Sequence, residues 1–327
     1  MRIYSFFVAC LLLCACSVFA EDAGFTGEFM GVYKPGNSRT MKATAQVIAE
    51  GVDKYRIVLK AEPSQPGEDW VFVEIYGTKQ GQNLDMAGRS GGRDWTGSIK
   101  GNKMTVQGNY YDMAFELDRI TRMSPTLGLK PPKNAVVLLP YELGKAPDLS
   151  QWTNANWKPL PDGSMIHGGG NNPTKRSFGS IKLHLEFKIP FQPDKFNQAR
   201  GNSGVFFNGV YETQVLDSFG VIPALGDCGA IYGVSTPHIN ASLPPLEWQT
   251  YDVTFIAPRI DEKGKVLSAP RITVVQNGIT IQKDVEIPTQ TRFPLENLPH
   301  VQRAPLMLQD HGNDVCYRNI WVVELKQ

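Results

Sequence analysis

Short runs of alternating apolar and polar residues, each closed by Gly, Pro or Asn, follow one another along almost the whole chain. Such a pattern leaves room for strands and for little else. In the first third the runs span residues 27–32, 41–49, 55–60, 70–77, 95–100, 103–107 and 113–120. They are separated by Pro35-Gly36-Asn37, Gly51, Pro66-Gly67, Ser90-Gly91-Gly92 and Gly101-Asn102. The last of these reads as a tight hairpin. The pattern resumes over 135–139, 164–166, 181–190, 205–207, 211–216, 230–232, 248–256, 271–276, 279–285, 306–309 and 317–324, with almost no helical periodicity. The expected fold is therefore all-β: a small antiparallel barrel or sandwich, then two packed sheets of the jelly-roll kind. With 31 Gly, 23 Pro and 42% hydrophobic residues, the chain has ample core material but too many turn formers for a helical bundle.

The two regions meet at Ser124-Pro125-Thr126-Leu127-Gly128-Leu129-Lys130-Pro131-Pro132, where prolines remove ladder donors and hold the backbone extended. The expected organisation is a signal peptide over 1–20, a small β-rich domain over 24–122, a Pro-rich linker over 123–133 and a larger β domain over 134–327. The signal is read from Met1-Arg2-Ile3-Tyr4 and the apolar run from Phe6 to Phe19, with cleavage before Glu21. Leu13-Cys14-Ala15-Cys16 offers a rival lipoprotein site, with Cys16 as the lipidated first residue. Either way the protein is expected to be exported to the periplasm or beyond, soluble or lipid-tethered. No later apolar run is long enough to span a bilayer.

Formal net charge is +1 and the charges are interleaved, so neither a nucleic-acid footprint nor a polybasic membrane patch is visible. Neutral polymers or small molecules are the expected partners. Cleavage before Glu21 leaves Cys228 and Cys316, and an oxidising compartment suggests a disulfide between them. It would close a loop of about 90 residues and contribute roughly 4 kcal/mol. Two buried thiols are the alternative reading. No Cys-x-x-Cys spacing, Asp-x-Asp-x-Asp loop or Gly-rich phosphate cradle is present, so no metal site or cofactor is expected, with a structural calcium left open.

The richest candidate for a site is the strand around Tyr211-Glu212-Thr213-Gln214-Val215. Glu212 and Gln214 share one face, about 7 Å apart, while Tyr211, Thr213 and Val215 share the other. A carboxylate and a carboxamide so placed suit the ring hydroxyls of a sugar, although a solvated strand face would look the same. Glu212 and Asp217 are an odd number of residues apart and would point to opposite faces, so this strand does not offer the two flanking carboxylates of ordinary glycoside hydrolysis. In the first domain, Gln46, Arg89 and Arg93 are weaker candidates for ligand contacts, better read as surface polar residues.

A set of ordered blocks adds to this reading. Lys182-Leu183-His184-Leu185-Glu186-Phe187 is followed by Asn202-Ser203-Gly204-Val205, the Tyr211–Ser218 strand, Cys228-Gly229-Ala230-Ile231-Tyr232 and Glu247-Trp248-Gln249-Thr250-Tyr251. Gln276-Asn277-Gly278, Leu308-Gln309-Asp310-His311-Gly312 and Tyr317-Arg318-Asn319-Ile320 complete the series. Together they resemble the 3-keto-disaccharide hydrolase domain family over nearly all of 134–327, and the preceding β-rich segment resembles an N-terminal extension found in some members. The resemblance implies a concanavalin A-like jelly roll with the second domain catalytic. Two departures stand out: Tyr317 where the family often has Phe, a change of small expected effect, and Gln249 where many members have Asn.

A 3-keto sugar opens a particular chemistry. The C3 carbonyl acidifies the C2 proton and places the C1 leaving group β to the ketone, so elimination followed by hydration can cleave the glycosidic bond. That route requires a base, an acid and donors for the enolate oxygen. Glu212 and His311 are the candidates for acid and base, in an order left open. Gln214, Gln309 and Arg318 are candidates to hold the enolate or neighbouring hydroxyls. His184, Glu186, Trp248 and Asn202 are further candidate substrate contacts, each with an alternative as a core, capping or ion-paired residue. A non-catalytic carbohydrate-binding or cell-surface module, or a glucanase acting on unoxidised glucan, are the competing functions.

Overall fold

The computed structural model describes residues 23–36, 39–63, 65, 67–291 and 300–326. The expected signal peptide, with Cys16 and the cleavage point before Glu21, lies outside the described residues. Among those described, no helix is long and apolar enough to cross a membrane.

Eight strands, β1 (Gly27–Pro35), β2 (Met41–Ala49), β3 (Lys54–Ala61), β4 (Val71–Gln80), β5 (Asn83–Ser90), β6 (Arg93–Lys100), β7 (Lys103–Gly108) and β8 (Met113–Ile120), run antiparallel in sequence order. β1 pairs with β8 and closes them into a barrel, which removes the sheet edges. Alternation fills it: Met41, Ala43, Ala45, Val47 and Ala49 of β2 join the interior, while Lys42, Thr44 and Gln46 face outward. Tyr33 and Phe115 stack inside with ring centres 4.4 Å apart. Eight strands enclose just enough space for such side chains, so the lumen is a core. Gly91 and Gly92, with φ of 57° and 76°, make the two-residue turn between β5 and β6. Beside it Arg89 pairs with Asp94 at 3.2 Å, and both Arg89 and Arg93 are exposed.

The second region is a jelly-roll sandwich. Its strands are β9 (Val136–Leu139), β10 (Lys158–Pro159), β11 (Met165–Ile166), β12 (Asn172–Phe178), β13 (Ile181–Lys188), β14 (Ser203–Phe207), β15 (Tyr211–Val215) and β16 (Trp248–Ile256). A side ribbon of β17 (Arg259–Ile260) and β18 (Val266–Ser268) follows, then β19 (Arg271–Gln276), β20 (Ile279–Glu286), β21 (Ala304–Leu308) and β22 (Cys316–Glu324). The larger sheet runs β10-β11-β22-β13-β16-β19-β20, with β9 also on β22, and the smaller runs β12-β21-β14-β15. Leu183, Leu185, Phe187, Tyr251, Val253 and Phe255 of the larger sheet face Val205, Phe207, Tyr211, Val215, Leu306 and Leu308 of the smaller. These positions alternate along each strand, so every residue between them leaves on an outer face.

The cysteines correct one expectation. Cys228 and Cys316 are both buried but not joined. The Cys228 thiol belongs to the sandwich core and lies 3.1 Å from the Tyr251 hydroxyl. Cys316 immediately precedes core-facing Tyr317, so its side chain leaves the opposite face of β22 and the sheet separates the two sulfurs.

The Pro-rich segment is docked rather than loose. It straps the outer face of the larger sheet: the Ser124 hydroxyl meets that of Thr250 at 2.6 Å, Thr126 donates to Asp252 at 2.6 Å, and the Gly128 amide donates to Glu186 at 2.6 Å. Leu129 accepts from the Asn319 side chain at 3.0 Å. A bulge in β22, where Asn319 has φ of 47°, brings both Arg318 and Asn319 to Glu186, at 2.7 and 2.8 Å. His184 bonds Asp252 at 2.7 Å. Burial alone would push the Glu186 carboxyl up, but these donors outweigh it and hold it below its ordinary value.

Barrel and sandwich also touch directly. The Arg200 guanidinium pairs with buried Asp217 at 2.6 Å and donates to the Ala49 carbonyl of the barrel at 2.8 Å. Ile48, Val58 and Phe219 form a small apolar cluster across the junction, and Arg122 joins Glu28 to the Ser242 carbonyl. Beside this contact lies a cleft of about 850 Å³, lined by Gln46, Met30 and Phe72 from the barrel and by Ile222 from the sandwich.

Glu186→Ala leaves Arg318, the Gly128 amide and Asn319 without their acceptor in a buried place, and a loss of about 3–5 kcal/mol is expected. Denaturant unfolding at pH 7 measures it. The native carboxyl titrates below the unfolded one, so its stabilisation is present above about pH 4.5 and is lost as pH falls through the lower native value. The difference between wild type and variant is therefore expected to shrink in acid.

Candidate active site

The smaller sheet treats its outer face differently from the larger one. The turn at Asn208 and Gly209, with φ of 49° and 68°, sets the β14–β15 register so that Phe206 lies opposite Glu212 and Gly204 opposite Gln214. On the other side of β14, Phe206 pairs with Met307, and the Gln309 amide bonds the Gly204 carbonyl at 2.9 Å. Two rows therefore cross the outer face, Met307–Phe206–Glu212 and Gln309–Gly204–Gln214. Gly204 is the floor of the second row. A methyl group built on it would lie 2.2 Å from Glu212 Oε1 and 3.0 Å from the Phe206 ring, so the carboxyl and the ring lean over the space that glycine leaves open.

The polar groups here are held from behind. Gln198, in the turn before β14, accepts from Asn202 Nδ2 at 3.1 Å and from Gln214 Nε2 at 2.9 Å, and donates to the Gly226 carbonyl at 2.8 Å. Gln214 Nε2 also reaches Gly226 O at 3.2 Å, and Asn202 Nδ2 reaches Gln198 O at 2.7 Å. Backbone carbonyls only accept, so they fix which end of each amide is nitrogen. The opposite ends, Asn202 Oδ1 and Gln214 Oε1, are buried without a partner, as is Gln309 Oε1. Buried polar atoms are normally satisfied, so these acceptors call for donors from a ligand or from ordered water.

Glu212 is 5% exposed. Its backbone is anchored, its amide donating to the Thr291 hydroxyl oxygen at 2.6 Å, yet no hydrogen bond or ion pair engages its carboxyl among the described residues. Burial without a cation pushes the group up to about 8. A carboxyl poised near neutrality in a polar hollow is the mark of an acid or base.

His311 stands at the rim, exposed, two residues beyond Gln309. Its loop is tied to the Asn202 segment through Asn313, which donates to His311 O at 3.1 Å and accepts from the Gly201 amide at 2.9 Å. Asn202, Gln214, Gln309 and Glu212 thus share one face, with His311 beside it.

The remaining sequence candidates lie elsewhere. His184, Glu186, Arg318 and Trp248 form a second cluster on the larger sheet, where the strap covers His184 and Glu186 completely. Arg318 spans Glu186 and the Tyr141 hydroxyl, and its guanidinium lies 4.0 Å from the Trp248 ring, occupying the face expected to receive a sugar. Asp217 is committed to Arg200. Gln249 is buried and accepts from the Leu243 amide, Gln276 and Asn277, so its side chain knits loops together. Tyr317 does more than expected: its phenol meets Ser203 Oγ at 2.6 Å, and that hydroxyl also bonds Gln309 O, linking the two sheets beneath the site.

Sequence reading missed Gln198, Phe206 and Met307, along with His167, whose ring nitrogens sit 3.1 Å from Asp310 and 3.1 Å from Asp314. Nothing in the turn around Gln198 announces its role, because the partners it gathers are distant in sequence. Among the described residues no group of His, Cys, Asp and Glu is arranged to hold a metal ion.

Glu212 binds its proton more tightly in the folded than in the unfolded chain, so stability should decline as pH rises from about 4.5 to about 8. Glu212→Gln is expected to remove that decline and to exceed wild type by on the order of 3–5 kcal/mol at pH 9. Urea unfolding across the pH range checks this.

The chain can now be set beside known proteins. No curated protein sequence matches it. A solved structure from Parabacteroides distasonis ATCC 8503, provisionally assigned as a glycosyl hydrolase, is 34% identical with a TM-score of 0.54, over 59% of this chain and 85% of that one. Another from the same organism, with the same assignment, is 16% identical with a TM-score of 0.41, over 57% and 95%. The profile of the 3-keto-alpha-glucoside-1,2-lyase-like domain family matches residues 136–323, which takes in the sandwich and leaves out the barrel. That span exceeds half the sequence, and the chain belongs to this family as a glycosyl hydrolase-like protein.

Proposed function

We propose that the protein is an exported enzyme that cleaves the glycosidic bond of 3-keto-disaccharides or related 3-keto-glycosides, with Glu212 as its general acid. The observation that carries this is the Glu212 carboxyl, raised to about 8 and without a partner among the described residues, set among unpartnered amide oxygens on the same sheet face. Family membership supports this choice of substrate class. The sandwich, over 134–327, is the catalytic domain in this reading.

In the first step the His311 imidazole takes the C2 proton of the sugar, and the C–H electron pair forms the enolate of the C3 ketone. The side-chain nitrogen of Gln309 has no partner among the described residues and is the donor for the enolate oxygen. Gln214 is less suited to that task, since its nitrogen is committed to Gln198 and Gly226. The enolate then collapses to a C1–C2 double bond conjugated to the ketone, and the C1–O bond breaks with its electron pair on the departing oxygen. Glu212, protonated at neutral pH, gives that oxygen its proton. Glu212, now ionised, takes a proton from water as the water oxygen adds to C1, and protonated His311 returns a proton to C2. Atoms and charge balance over the two halves, and no second carboxylate is required. Phe206 and Met307 keep the carboxyl dry, which sustains the raised value that the acid role needs.

Purified protein incubated with a 3-keto-glucoside should release the aglycone, and Glu212→Gln should slow release by about 10²–10⁴-fold. Activity should fall as pH rises through about 8, where the acid form of Glu212 is lost. Binding without release by wild type would make the protein a carbohydrate-binding module instead, and reducing ends released from unmodified glucan would make it a glucanase. For export, fractionation of cells expressing the full chain should find it outside the cytoplasm with its first residues removed.

A further inference from the structure

We infer that Gln198 is a positioning residue that restricts this site to neutral, hydroxyl-bearing sugar rings and excludes anionic ones such as uronic acids. The inference rests on the saccharide reading above and deepens it. One side chain performs three tasks: its carbonyl oxygen takes a proton each from Asn202 Nδ2 and Gln214 Nε2, while its nitrogen is spent on Gly226 O. Both neighbouring amides are thereby turned so that only their oxygens, Asn202 Oδ1 and Gln214 Oε1, remain unpartnered. These side chains are 2% and 1% exposed.

A ligand that meets these oxygens must bring hydrogen-bond donors, and a sugar hydroxyl is such a donor. A ring carboxylate is not, because it presents lone pairs to lone pairs and leaves buried carbonyls unsatisfied. Among the described residues no cation offsets this. Arg318 is on the other sheet, Arg200 is committed to Asp217, and the raised Glu212 carboxyl has burial as its sole cause, with no positive neighbour among those residues. Selectivity follows from the orientation of the amides. Without the Gln198 side-chain oxygen each amide keeps only a backbone carbonyl, Gly226 O for Gln214 and the residue 198 carbonyl for Asn202, to hold its nitrogen back, so the preference against an anion weakens.

The test is calorimetric binding of methyl glucoside and methyl glucuronide, with turnover of the corresponding 3-keto compounds measured alongside. Wild type should favour the neutral ring by at least about ten-fold, the amount that one well-made hydrogen bond to a buried partner supports. Gln198→Leu should lower the ratio several-fold, provided the variant unfolds at a temperature near wild type. Gln198→Glu keeps an oxygen for both amides and should retain the preference, which a merely structural role for this side chain does not predict. Wild type that binds the glucuronide as tightly as the glucoside overturns the inference, whatever the variants do. A folded Gln198→Leu that keeps the full preference overturns it as well. If 3-keto substrates are not turned over but the binding preference and its weakening appear as described, the catalytic reading fails and this one stands.

Discussion

Glu186 and Glu212 lie on the outer faces of opposite sheets, each buried, and the structure handles their charge in opposite ways. Water is not there to solvate them, so each must either find donors or keep its proton. Glu186 receives the Gly128 amide, Asn319 and Arg318, and its face of the sandwich is sealed under the strap. Glu212 receives no donor at its carboxyl among the described residues and holds its proton up to about 8. The strap, the β22 bulge and the Arg318–Trp248 stack all serve the first solution. The Gly204 floor and the amides clamped by Gln198 serve the second.

The contrast also sets the two faces apart, although both carry Glu at alternating strand positions. The difference lies in what is withheld. On the larger sheet Glu186, His184 and Arg318 have all been given partners, whereas on the smaller one several oxygens wait for one and the Glu212 carboxyl has none among the described residues. In the function proposed above, an incoming saccharide supplies the donors that the protein itself has left out, to acceptors that are already aimed.

Much of this was legible in the sequence. Alternation placed the strands, and the parity of 212, 214, 307 and 309 put Glu212, Gln214 and Gln309 on the face away from the core, as the structure shows. Parity could not say which outer face would be covered. His184 and Glu186 alternate as cleanly as Glu212 and Gln214, and only the strap distinguishes them, through hydrogen bonds spanning tens of residues along the chain. Cys228 and Cys316 illustrate the same limit: a compartment argument suggested a bond, but the side-chain directions set by Tyr317 and its sheet keep the thiols apart. Gln198 had no periodic signature at all, because it works from a turn.

The strap has a consequence for how such genes can be cut and joined. A proline-rich stretch between two domains invites the reading that it is a dispensable spacer, where a fusion point or a truncation does no harm. Here Ser124, Thr126 and Gly128 are built into the sandwich as fully as its own strands are. Recombination just after them would strip a covering layer from an ionised interior. The strap therefore goes with the sandwich, and the two regions divide on the barrel side of it.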